Sequence, residues 1–150
     1  MDISAEPPRN APLIVDYRAN ANLSSMQVSF HWWGAGQTSL RKHNHCEFFI
    51  ITNGRTLHNL NGENSVLEAG ALCFIRPQDV HRFTPIADVE CIHINVSATV
   101  ERLDALCSAL GIGFDALCNA EAEPPHIQLA REDLTFFLQR ARQAQNEQIG

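Results

Sequence analysis

"CEFFIITNGRTLHNLNG" (46–62) holds two short apolar stretches, each closed by the same dipeptide. "CEFFIIT" (46–52) stops at Asn53-Gly54, and "RTLHNL" (55–60) stops at Asn61-Gly62. Asn-Gly tolerates positive φ at both positions, which a two-residue type I′ turn demands, so the second pair predicts a β-hairpin. Working outward, "NSVLEA" (64–69) ends at Gly70, "ALCFIR" (71–76) ends at Pro77, and "VECIHINV" (89–96) closes the series. Upstream, "MQVSFHWW" (26–33) alternates, with Met26, Val28, Phe30 and Trp32 on one face. Strands recurring about every ten residues with hairpin-like connections predict an antiparallel sandwich or barrel, because a parallel sheet needs crossover helices.

After Val96 the period lengthens. Val100, Leu103, Leu106, Cys107 and Leu110 recur at helical spacing; Ser97 or Thr99 can cap the start, and Gly111 can end the helix in the left-handed region. "EAEPP" (121–125) interrupts the chain. A second helix is predicted over 128–147, with Ala130, Leu134, Phe137, Leu138 and Ala141 on one side. Residues 1–24, with three prolines and three asparagines, read as an extended arm around the apolar island "LIV" (13–15). The division is an arm (1–24), a β-barrel (25–97) and a helical segment (98–150).

With 150 residues and 45% hydrophobic composition the chain suffices for one core. Its net charge is −6 and Lys42 is its only lysine, so it lacks the clustered cations that phosphate contacts need. Five scattered cysteines without CxxC spacing argue for a reducing compartment. The N-terminus has no apolar h-region and no run approaches a membrane span, so a cytoplasmic protein without membrane contact is expected.

The chemistry-bearing stretch is "RKHNHCEF" (41–48). If it is one extended strand, His43, His45 and Glu47 share a face. Imidazole and carboxylate are ordinary ligands for zinc, nickel, manganese or iron, and two histidines with one carboxylate form a recurrent ligand set. Phe49 lies on the same face and would supply an apolar wall. Downstream, "GALCFIRPQDVHRF" (70–83) places His81 at the start of a strand that a barrel could bring opposite. His93 in "CIHINV" falls on a Cys/His/Asn stripe facing water or a polar lumen. Three readings stay open: a divalent metal on some of His43, His45, Glu47 and His81; a metal-free pocket in which these groups and Arg41 bind a small molecule; or side chains satisfied internally. No nucleophile–base pair, P-loop or dinucleotide fingerprint is present, so no catalytic residue is assigned.

These stretches resemble a cupin, and more narrowly the N-terminal sensor domain of AraC-type transcription regulators, the regulators of chitobiose uptake among them. "HNHCEFFIITNG" (43–54) is similar to the first cupin motif, "GALCFIRPQDVHRF" to the second, and "CIHINVS" (91–97) to the closing strand of such sensors. The resemblance implies a mostly β fold, a cupin-type double-stranded β-helix or jelly-roll barrel followed by two C-terminal α-helices. It implies a ligand-sensing and dimerisation domain that binds a small effector, by likeness a sugar, in the lumen at Arg41, His43, His45, Glu47, Phe49, His81 and His93. Pairing as a homodimer would run through Leu134, Phe137 and Leu138, and residues 5–18 would fold over the pocket. DNA would be contacted only by helix-turn-helix units, which need a further domain's length of chain. One departure concerns metal binding. Counting back from Glu47 by the shorter motif spacing puts His43 at the second histidine and Arg41 at the first, and arginine has no lone pair to offer. Either His43 and His45 shift register to serve as the pair, or one ligand is lost. The alternative function is a small metal-dependent cupin enzyme, an oxygenase or isomerase.

Overall fold

The computed structural model describes residues 14–17, 26–33, 38–86, 89–119 and 123–149. Nine strands are described: β1 (Ile14–Tyr17), β2 (Met26–Trp33), β3 (Leu40–His43), β4 (Cys46–Leu60), β5 (Glu63–Glu68), β6 (Ala71–Ile75), β7 (Val80–Pro85), β8 (Cys91–Ala98) and β9 (His126–Gln128). Three helices accompany them: α1 (Val100–Leu110), α2 (Phe114–Cys118) and α3 (Arg131–Ile149). The fold is the expected mostly antiparallel jelly-roll, with its helices after the barrel. The short α2 is an addition to the two helices foreseen, and β9 joins the sheet beside β6 from within the segment read as helical.

One strand organises the barrel. β4 pairs with β6 and β8 through its first half and with β5 and β7 through its second, so it belongs to both sheets. Asn53-Gly54 is therefore not a turn. The register against β8 slips between Ile51 and Asn53, a β-bulge that bends one continuous strand from sheet to sheet. Gly54 has φ +76° and passes so close to β8 that an added Cβ would overlap the Glu90 carbonyl. Asn61-Gly62 does turn the chain into β5, with both residues at positive φ as the hairpin reading required.

The bulge also reverses which residues face inward. Before it, Glu47, Phe49 and Ile51 are buried on the lumen side; after it, Thr56 and His58 are. Cys46 and Phe48, on the opposite face, pack with Phe74, Ala98, Leu103 and Cys107 beneath α1 and α2. The lumen side carries Phe49, Ile51, Ala71, Cys73, Ile75, Phe83 and Cys91. The layers are thus one sheet, a second sheet, then the first two helices. α1 is capped as read, Thr99 accepting from the Arg102 amide and Gly111 closing it at φ 68°.

A buried ion pair fastens these parts together. Arg76 meets Asp79 through Nε and Nη2 at 2.9 and 2.8 Å and also donates to the Asn119 carbonyl just after α2. Asn61 donates to the same aspartate at 2.9 Å.

Candidate metal centre and edge cavity

"RKHNHCEF" is not one strand. β3 ends at His43, Asn44 and His45 make a bend, and β4 begins at Cys46 in the other sheet. The expected i, i+2, i+4 face does not form. His43 and Glu47 meet because the chain crosses between the sheets, leaving His43 Nε2 3.8 Å from Glu47 Oε2. β7, antiparallel to β3, sets His81 beside Arg41 and completes the group. One ligand atom each from His43, Glu47 and His81 lies within 4.8 Å of the others, and all three residues are buried. Arg41 stands on the site strand directly across from His81. His45 is buried too, with Nε2 3.9 Å from Glu47 Oε2 and Nδ1 3.3 Å from the Asn44 amide oxygen, but it is outside the mutual group.

His81 is held from behind. Its Nδ1 lies 3.2 Å from His58 Nε2, while its Nε2 is buried with no hydrogen-bond partner among the described residues. A ligating histidine characteristically ties one ring nitrogen to a second group and offers the other to the metal. Burial lowers the pKa of His81 well below its usual value, helped by the charges of His58, His43, Arg41 and His93; burial brings His58 to about 4. Both rings are neutral at pH 7 and keep a lone pair. Burial also raises Glu47 to about 7, against the pull of Arg41. A carboxylate so poorly solvated is one that a divalent cation would restore to its charged form. The donor set therefore fits such a cation.

Around this group the wall is aromatic. Phe83 stacks on His58 at 4.9 Å between ring centroids, and Phe49 meets His58 edge-on at 5.1 Å. His93 is 1% exposed and 5.4 Å from Phe83, so the Cys91/His93 stripe faces the lumen, not water. His58 was missed by the sequence reading: simple alternation from Glu47 puts it on the outer face, and only the bulge brings it in.

A roomy cavity lies elsewhere. A space of about 770 Å³ lies between β5 and the segment 123–128, with Leu60, Leu67, Cys73 and Phe74 among its apolar lining. None of the seven residues expected to bind ligand lines it; His58 does, and His58 joins it to His81.

The family model described as the AraC-like ligand binding domain matches residues 33–148. No curated protein matches the chain. Among solved structures, a cupin protein from Bacteroides fragilis is 20% identical, with 51% of this chain and 67% of that one covered and a TM-score of 0.44. A Cupin 2 conserved barrel domain protein from Salinispora arenicola is 17% identical, with 59% and 76% covered and a TM-score of 0.48. A protein from Photorhabdus luminescens is 15% identical, with 74% and 99% covered and a TM-score of 0.49. Among the described residues no helix is long and apolar enough to cross a membrane.

Proposed function

We propose that this chain, which belongs to the AraC-like ligand-binding domain family, is the effector-sensing part of a transcription regulator and carries a divalent-metal centre on His43, Glu47 and His81. One observation carries the metal centre: His81 is tied through Nδ1 to His58 while its buried Nε2 has no partner among the described residues. A divalent cation held there supplies positive charge and open positions for an oxygen donor of a small molecule. Arg41, His45, Phe49 and His93 shape the surroundings: a cation beside the group, a second imidazole at its edge, and an apolar wall. The effector is a small polar metabolite, a sugar if the likeness to chitobiose-uptake regulators extends to ligand.

Signalling requires that the effector bind one arrangement of the chain more tightly than another. Two elements are placed to differ between arrangements. Of the arm segment 5–18, residues 14–17 are described, and they pair in parallel with the site strand, Val15 against Arg41 and Tyr17 against His43. The other is α3, which contacts β2 and leaves Phe136 and Phe137 exposed beside half-buried Leu134 and Leu138. We assign homodimer pairing to that face of α3, and sedimentation should show Phe137→Ser with Leu134→Ser as a monomer where the parent pairs.

The deciding experiment is calorimetric titration of chelator-stripped protein with manganese, zinc, nickel and iron(II). One site is expected, weakened about a hundredfold or more by His81→Ala and by Glu47→Ala with thermal unfolding still cooperative. Equal affinity in both variants rejects the centre. Stoichiometric iron or manganese accompanied by oxygen-dependent turnover moves the reading from sensor to enzyme.

A further inference from the structure

We propose that the cavity between β5 and the segment 123–128 binds a small hydroxylated organic cation, an amine with an apolar body. The space, about 770 Å³, is of the size that encloses a drug-sized molecule. Glu63 and Glu68, at the two ends of β5, and Glu123 on the facing segment all line it, and none of the three carboxylates has an ion pair or hydrogen bond among the described residues. The one arginine in the lining, Arg76, is spent on Asp79 and the Asn119 carbonyl. The lining therefore carries three carboxylates without an ion pair, Glu68 having Arg55 directly across the strand pair, over apolar Leu60, Leu67 and Cys73. A cleft of one charge sign with low-dielectric walls concentrates the opposite ion and repels its own.

A second observation is independent of the carboxylates. His58, 2% exposed, lines the same cavity and uses Nε2 on His81, while its Nδ1 has no hydrogen-bond partner among the described residues. When His81 keeps its proton on Nδ1, that proton is donated to His58 Nε2, so His58 carries its own on Nδ1. The cavity then presents an N–H donor, which calls for an oxygen acceptor on the occupant. Ammonium toward the glutamates, apolar body on the apolar lining and hydroxyl to His58 is the pattern the lining accepts. The same imidazole pair links this occupant to the group at His43, Glu47 and His81. The inference rests on the sensor reading for its biological role, the occupant being a second ligand beside the effector, but its physical content is testable alone.

The test is a charge series on one apolar body: phenylethanolamine, phenylethylene glycol and mandelate, each titrated calorimetrically into the full chain stripped of metal. The amine is expected to bind about tenfold tighter than the glycol at low salt, with the gap closing at high salt and mandelate weakest. In the triple variant Glu63→Gln, Glu68→Gln, Glu123→Gln the amine should fall to the level of the glycol while the glycol is unchanged. All three positions are exposed, so the fold is not at stake. An amine no tighter than the glycol, mandelate tightest, or no binding by any of the three overturns the proposal. The metal titration is read separately. Amine binding without metal binding keeps the cavity and removes the metal centre; the reverse removes the cavity and leaves the sensor reading intact.

Discussion

The two halves of β4 obey opposite rules. In residues 46–51 odd numbers face the lumen; in 55–60 even numbers do. The first half lies between the other sheet and the helices, and both its faces are covered. The second half has one wet face, with Arg55 exposed and Leu57 and Asn59 half-buried. A single inserted residue at the bulge separates these regimes, and it decides which histidine joins the site. The side-chain period of a strand is therefore a local property, and one irregular residue rewrites it for everything downstream.

Removing that residue should break the contrast outright. Deleting Thr52 sets Asn53 directly after Ile51 against Ile92 and His93, so Thr56 and His58 keep facing inward and Arg55 outward, but the bend that carries the strand from one sheet to the other is lost. Scanning calorimetry is expected to find no cooperative transition, and a wild-type melting temperature would show that the bulge is dispensable. The parity contrast can be measured next. Phe49→Ala should cost about 3–5 kcal/mol in urea unfolding, because it empties a fully buried position in the lumen. Leu57→Ala, at the same parity beyond the bulge, should cost about 1 kcal/mol or less.

The halves should also respond oppositely to pH in chelator-treated protein. Glu47 titrates near 4.5 when unfolded and about 7 when folded, so the folded state holds its proton longer and stability falls as pH rises through that window. His58 goes from 6.5 to about 4, so the unfolded state gains its proton first and stability falls as pH drops through its own window. Each of these two groups contributes about 3 kcal/mol. Glu47→Gln should abolish the first limb and His58→Phe should shrink the second, to which His81 and His45 also contribute, in chemical denaturation from pH 4 to 8. The smallest effect comes at the end of the second half. Asn61→Ala loses the αL-tolerant residue and the bonds to Asp79 and the Val80 amide, about 1–2 kcal/mol by the same assay.

Much of the fold was legible because its signals are local. Alternation found β2, composition and turn residues found β5, β6 and β8, Asn61-Gly62 announced its hairpin, and Thr99 with Gly111 bounded α1. Asn53-Gly54 misled because the same dipeptide suits a bulge as well as a turn, and only the proximity of Glu90, distant in sequence, distinguishes them. β9 was invisible: "HIQ" is three residues long, exposed throughout, and held by β6 alone. At the site, His43, His45 and Glu47 were named for a shared face that does not form, and His81 for a strand brought opposite, which β7 supplies. His43 and Glu47 converge through a crossing between sheets, so the residue types were informative and the strand geometry was not. His58 and the edge cavity arise from register and from the approach of segment 123–128, and neither leaves a mark in any short window of sequence.

Arg76 and Asp79 bear on how this chain can change over time. Opposite charges in a dry interior are tolerable only as a couple, since losing one member leaves its mate ionised among apolar neighbours at a penalty of about 3–5 kcal/mol. A lineage can thus exchange them jointly for an uncharged pair of matching bulk, whereas each single replacement passes through an intermediate that barely folds. Two ordinary-looking letters three places apart are in effect inherited as one.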